Sequence, residues 1–363
     1  MSSEAGTSFK EESLVSMKAF RPWLVGAVAV ALLAACGGNS GTSSAGSGCS
    51  KTFKVGLVTD VGKLTDKSFN AASWQGVQQA ASDKSLCVSA KYIESNQPTD
   101  YRKNMETFVD QGYDMIVAVG FLMADDTLAE AKAHPNVKFT IVDNAYDPAP
   151  PTNLVGLVFK EDQAGYLIGA LAGLLTKTNS VGQVLGLKIP PVQRYADGYI
   201  AGAKSTNPNA KVLTVYQGPG DGAPFNNPAW GQARANDEIN QGADIVFGGG
   251  GNTGNGALIG ALQKGKTCIG VDVDQYLSYP DADKCLVTSA EKHLSLAVKT
   301  IITNAVQKKW PAGALVFDAK NNGVGIAPYH DFDSKVPADV KAKIKDIQKK
   351  LADGSLQTGV TVS

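Results

Sequence analysis

Lys54–Gly76 reads KVGLVTDVGKLTDKSFNAASWQG, and its order of strand, polar loop and helix decides the fold. Val55, Leu57 and Val58 form an apolar run short enough for a buried strand. The run stops at Thr59-Asp60 and passes into a loop that holds Gly62, Asp66 and Lys67. Ser68 is of the residue type that caps helix N-termini, and Phe69, Ala72, Ser73, Gly76 and Val77 share one helical face. Strand, loop and helix make the first half of a βαβ unit. Open sheets built from such units bind ligands beyond the carboxyl ends of their strands. Asp60, Asp66, Phe69 and Asn70 fall near that end. Acceptors, an amide and a flat apolar ring suit a flat polar heterocycle. On local pattern alone, the plainer alternative is a turn-forming Asp60 and a core Phe69.

The same rhythm continues outward from this stretch. Short apolar runs predict strands over 53–59, 87–93, 114–119, 137–142, 153–159, 181–187, 211–216, 243–248, 267–272 and 285–289. Amphipathic stretches predict helices over 68–84, 99–111, 123–133, 161–176, 194–206, 229–241, 254–264, 291–308 and 336–352. Alternation of this kind builds parallel sheets covered by helices, the α/β class. The strands are too many for one tidy sheet, and 363 residues is the length of two ordinary domains. Two lobes are therefore expected, with the late helix 291–308 returning to the first.

Upstream of the body, Met17 opens MKAFRPWLVGAVAVALLAACGG. Lys18 and Arg21 form a basic head, and Trp23 to Ala35 an apolar core too short to span a bilayer comfortably. The core ends in Leu33-Ala34-Ala35-Cys36-Gly37, which resembles a bacterial lipobox. The reading is a signal peptide over 1–35, with Met17 as its start. Cys36 would be cleaved before and acylated, placing the protein on the extracytoplasmic face of a membrane. Each buried lipid CH₂ contributes about 0.8 kcal/mol to such an anchor. The alternative is a buried or membrane helix that ends in cysteine by chance. Residues 36–50 then form the acylated cysteine and a Gly/Ser tether.

A formal net charge of zero argues against nucleic acid as the main partner, because phosphate binding needs a basic surplus. His134, His293 and His330 are not spaced as metal ligands, no HExxH or CxxC occurs, and no metal or cofactor is expected. Four cysteines follow Cys36. Cys49 and Cys87 precede the first two predicted strands, and Cys268 and Cys285 begin or precede another neighbouring pair. Adjacent parallel strands bring their starts together, so disulfides Cys49–Cys87 and Cys268–Cys285 are favoured over the other pairings and over four free thiols.

Other residues at strand ends extend the candidate site. Gly120-Phe121 closes the third strand, Asp143 the fourth, and Asp272 and Asp274 the run IGVDVDQ; Lys292 opens a helix in TSAEKHLS. Singly, each is a solvated turn charge. Together they place acceptor-only carboxylates, suited to a vicinal diol, beside a lysine donor. Gly249, Gly251 and Gly254 fit G-x-G-x-x-G after the strand ADIVF, with Asp272 downstream, which mimics a dinucleotide fingerprint. It sits late in the chain, so glycines that admit a ligand close to the backbone fit better. Phe247 ends that strand and is expected to meet Phe69 across a cleft, with Phe225 as its rival. No G-x-S-x-G and no Ser/His/Asp set points to a nucleophile.

LVTDVGKLTDKSFNAASWQG, IVAVGFLMADD, GLVFKEDQAGYLIGALAG, FGGGGNTGNG, IGVDVDQ and VTSAEKH occur in this order over roughly 53–310. So ordered, they resemble the basic membrane protein family of ABC-transporter substrate-binding lipoproteins, the purine nucleoside receptor A type among them. The resemblance implies a type I periplasmic-binding fold: two Rossmann-like lobes, a hinge and an interlobe ligand cleft. The first lobe would take 51–158 plus about 290–315, and the second 159–289 plus about 316–363. It implies a monomeric receptor that is no enzyme, binds adenosine, guanosine or inosine, and delivers its ligand to an ABC permease. Phe69 would stack on the base, with Asn70 and Asp60 as polar contacts to it. Asp143, Asp272 and Lys292 would hold the ribose, and Phe247 would be the second stacking ring. GPGDGAPFNNPAWG departs from the tighter family pattern. A binding protein for another polar ligand such as a sugar, and an exported nucleoside-acting enzyme, are the alternatives.

Overall fold

The computed structural model describes Cys49 and residues 51–362. The expected signal peptide, Cys36 and nearly all of the expected tether lie outside the described residues. Chain order runs β1 (Phe53–Thr59), α1 (Phe69–Ser82), β2 (Val88–Ile93), α2 (Asp100–Asp110), β3 (Met115–Val119), α3 (Ala124–Ala133), β4 (Lys138–Val142) and β5 (Leu154–Phe159). It continues with α4 (Glu161–Leu175), β6 (Ser180–Leu185), α5 (Pro190–Thr206), β7 (Lys211–Tyr216), α6 (Pro228–Asn240), β8 (Ile245–Gly249), α7 (Gly251–Gln263) and β9 (Thr267–Asp272). The last elements are α8 (Gln275–Ser278), β10 (Leu286–Lys292), α9 (Leu294–Val306), β11 (Ala314–Phe317), β12 (Val324–Ile326) and α10 (Ala338–Asp353).

Two six-stranded sheets result, ordered β11-β5-β4-β3-β1-β2 and β12-β10-β9-β8-β6-β7. Strand for strand the two orders match. They differ at one edge, where β11 runs parallel to β5 but β12 runs antiparallel to β10. Central strands such as β3 and β6 are buried along their whole length, as a sheet covered on both faces demands. The chain passes between the sheets at Lys160, at His293 and between Phe317 and Val324. These crossings are tied together: Lys160 N–H donates to Phe317 O (2.9 Å) and His293 N–H to Gly323 O (2.9 Å). After the second crossing α9 packs on α1, where a Cβ on Gly76 would stand 2.6 Å from Ser295 O.

Several elements depart from expectation for identifiable reasons. Helix α5 begins at Pro190, not 194, because proline is tolerated in a helix's first turn. Strands β11 and β12, of four and three residues, are too short to show alternation. The predicted strand 285–289 extends to Lys292, so Lys292 ends β10 instead of opening a helix. Pairing of Glu291 with Gly325 and of Lys292 with Val324 holds these residues in the sheet. Ser68 makes no side-chain cap. Asp66 caps α1 instead, accepting from the N–H groups of Ser68 (3.0 Å), Asn70 (2.7 Å) and Ala71 (3.1 Å).

Disulfides join Cys49 to Cys87 and Cys268 to Cys285, with Cα atoms 5.7 and 5.0 Å apart. The parallel pairs β1–β2 and β9–β10 bring these strand starts together. Among the described residues, no helix is long and apolar enough to cross a membrane.

Candidate functional site

Both sheets point their carboxyl ends at one cleft with about 660 Å³ of space unoccupied by protein atoms, solvent at its mouth included. Asp60, Phe69, Asn70, Asp143, Phe247, Asp272 and Lys292 all line it. Asp274 lies elsewhere, paired with His330 at 2.6 Å.

The carboxylates are set by the backbone at the strand ends. Asp143 follows β4 and Asp272 ends β9, the equivalent strand of the other sheet. Both adopt left-handed backbone, with φ of 76° and 65°. Non-glycine residues take this conformation seldom, and aspartate more readily than most. The same turn in both lobes thus carries an Asp to the cleft. Asp60 follows β1, and its Oδ1 accepts from Gly62 N–H at 2.9 Å. Asn70 Nδ2 donates to Asp66 Oδ2 (3.2 Å), while its buried Oδ1 has no partner among the described residues.

Burial works against charge here. It raises Asp60 to about 7, opposed by the Gly62 N–H and assisted by Asp66 and Asp143. Burial raises Asp272 to about 7 and Asp143 to about 6, with Lys292 opposing the rise in both. Burial pulls Lys292 down, but Asp143, Glu161 and Asp272 outweigh it and the net shift is upward. The Lys292 ammonium stands 2.5 Å from Asp143 Oδ1 and 3.0 Å from Glu161 Oε1. It also sits 5.1 Å from the centre of the Phe69 ring, within cation–π range.

The two candidate second rings differ in environment. Phe247 is fully buried and stacked on Tyr199, ring centres 5.7 Å apart. Phe225 is half-buried, lines the cleft, and lies so close to Gly186 that a Cβ there would meet its ring at 2.2 Å. Phe69 is half-buried as well. Tyr195 was not foreseen. It lines the cleft from α5, its hydroxyl 3.5 Å from Asp272 Oδ1, and a tyrosine within a helical stretch gave no sign of it.

Glycines shape the cleft's walls. Gly249, Gly250 and Gly251 line it, whereas Gly254 packs on Gly248 and Gly256 on Pro228 O. Gly120 has φ 121° and ψ 142°, near a region almost closed to other residues, and a Cβ there would lie 2.4 Å from Asp60 Oδ2. Gly120→Ala is expected to displace Asp60 and to lower the melting temperature by several degrees, equivalent to more than about 1 kcal/mol. Differential scanning calorimetry checks this; an unchanged transition would mean that the loop relaxes freely. The lobes meet across the cleft through Asn255 Nδ2 donating to Asp66 O and Ser278 Oγ to Lys67 O, both at 2.8 Å.

Comparison with known proteins decides the family. The description "ABC transporter substrate-binding protein PnrA-like" of the Bmp family matches residues 53–356. The chain belongs to this family. Among Bmp relatives, the CD4+ T-cell-stimulating antigen of Listeria innocua is 33% identical over 344 residues, covering 90% of this chain and 94% of that one. The ABC transporter nucleoside-binding protein BmpA of Lactococcus lactis is 32% identical over 340 residues, covering 89% and 94%. An ABC transporter solute-binding protein from Aeropyrum pernix superposes with a TM-score of 0.75 at 22% identity, over 84% of this chain and 92% of that one. The Bmp chain described here therefore has the type I periplasmic-binding fold and is an ABC-transporter substrate-binding protein, whose partners are a ligand and a permease.

Proposed function

We propose that this Bmp-family protein binds purine nucleosides in the interlobe cleft and releases them intact to its permease. The observation that carries the reading is the shared cavity: Phe69 and Phe225 as half-buried rings, with Asp143, Asp272 and Lys292 beside them. Rings suit a base, worth about 1–3 kcal/mol per stacked base. Carboxylates at paired strand ends suit the ribose hydroxyls, and charge-assisted bonds are stronger than neutral ones. Asp60 and the free Asn70 Oδ1 face the base edge. The relative named for nucleoside binding lends support. The ligand is held by a monomer without a cofactor. Cys36 carries the acyl anchor at the extracytoplasmic face.

Calorimetric titration of the purified body with adenosine, guanosine, inosine and ribose tests this. Saturable binding of a nucleoside, with none of ribose alone and no free base released, is expected. Binding of ribose alone would move the assignment to a sugar. Release of free base would make it an enzyme.

Phe225, not Phe247, serves as the second ring in this reading, because Phe247 is already stacked on Tyr199. Phe225→Ala is expected to weaken adenosine about tenfold with little change in melting temperature. Phe247→Ala should instead destabilise the fold by about 3–5 kcal/mol. The reverse pattern would restore Phe247 to the role.

Ribose hydroxyls donate to ionised carboxylates, so binding favours the deprotonated forms of Asp143 and Asp272. With Asp143 raised to about 6 and Asp272 to about 7, affinity should climb as pH rises from 5 to 8 and then level off. Titrations in buffers of different ionisation enthalpy should show protons released near pH 6. A flat profile, or proton uptake, would contradict this use of the carboxylates.

A further inference from the structure

Glu161 and Arg194 stand one layer behind the cleft and line none of it. Glu161 is the first residue of α4, directly after the Lys160 crossing, and is fully buried. Its two oxygens are divided between two cations: Oε1 accepts from Lys292 Nζ at 3.0 Å, and Oε2 from Arg194 Nε at 2.6 Å. Arg194 lies on α5, which is fixed against α4 by close backbone packing. A Cβ on Gly165 would stand 2.3 Å from Tyr195 O, and one on Gly198 2.3 Å from Asp162 O. The helix pair therefore sets where Glu161 can be. Lys292, at the end of β10, is gripped from the second lobe by Glu161 and reaches Asp143 of the first at 2.5 Å.

We infer that Arg194, acting through Glu161, is a positioning residue that aims Lys292 at Asp143 and at the ligand between the lobes. Without Arg194, one oxygen of a buried carboxylate loses its partner, a loss that is costly in a dry site. Lys292, already bonded to Oε1, is then drawn to straddle both Glu161 oxygens and away from Asp143. Removing the guanidinium also takes a positive charge from Asp143's surroundings. Asp143 faces Lys292, Glu161 and Arg194, with Asp60 beside it on the same lobe and Asp272 on the other. Retreat of Lys292 and loss of Arg194 both make its carboxylate harder to ionise, so the two effects share one sign.

The test compares the wild-type body with Arg194→Gln and Arg194→Lys on two readouts. The first, adenosine affinity by calorimetry, rests on the nucleoside reading above. The second, the ¹³C titration of the Asp143 carboxyl in ligand-free protein, does not; Asp143→Asn assigns the signal. Arg194→Gln is expected to weaken adenosine about tenfold and to move the Asp143 midpoint upward. Arg194→Lys, which keeps the charge, should fall between the two on both readouts. If Arg194→Gln lowers only the melting temperature, leaving affinity or the Asp143 midpoint as in wild type, Arg194 is merely structural and the inference fails. If Arg194→Gln does not fold, Arg194→Lys decides by the same two readouts. If the wild type binds no nucleoside, the proposed function falls, while the carboxyl titration still judges the positioning role.

Discussion

Lys292→Met is expected to lower folding stability by about 3–5 kcal/mol at neutral pH, the cost of breaking a buried ion pair from one side. The side chain is 2% exposed and serves two buried carboxylates, Asp143 in the cleft and Glu161 behind it. Methionine has similar bulk, so the loss would be one of charge and not of volume. Burial already raises Asp143 to about 6, and removing the cation raises it further. An acid whose folded-state value is raised gives stability that is full below its unfolded value and fades as pH climbs through the folded one. The deficit should therefore shrink toward pH 5, where a proton takes the place of the ammonium. Urea unfolding at pH 5 and pH 7.5 measures both effects. A loss under about 1 kcal/mol at pH 7.5, or one that grows toward pH 5, would show that the carboxylates are solvated without Lys292.

Phe69→Ala is expected to weaken adenosine about 30-fold, near the middle of the 1–3 kcal/mol that a stacked base contributes. Phe69 begins α1 and is half-buried, so its removal should disturb the fold far less than the loss of a core ring. The Lys292 ammonium 5.1 Å from the ring centre also loses its aromatic neighbour. Calorimetry of the variant beside a melting curve separates the two contributions. Retained affinity would remove the base from this wall of the cleft.

The βα rhythm could be read from the sequence because most of the longer strands are compact apolar runs and the long helices between them have an apolar face. What failed to show depends on contacts made far along the chain. Lys292 looked like a helix start because its own place in the strand is held by pairing with β12, a three-residue edge that carries no pattern of its own. Asp66 hid its capping role behind the better-known signal of Ser68. Asp60, Asp143 and Asp272 were visible as acids ending apolar runs, the one signal that a strand-end site leaves in a single sequence. Phe247 and Phe225 could not be told apart, since which ring is spent on packing depends on Tyr199, 48 residues before the first. The Glu161–Arg194 pair left no trace, because 33 residues separate its members and either alone is an ordinary helix charge.

The bridge from Cys49 to Cys87 has a mechanical consequence. It clamps the incoming chain to the amino edge of the first sheet, where β1 and β2 begin. The cleft opens at the opposite edge, about 20 Å away for a strand of this length. Any pull from upstream is thus delivered to the floor of one lobe. It passes through none of the three crossings.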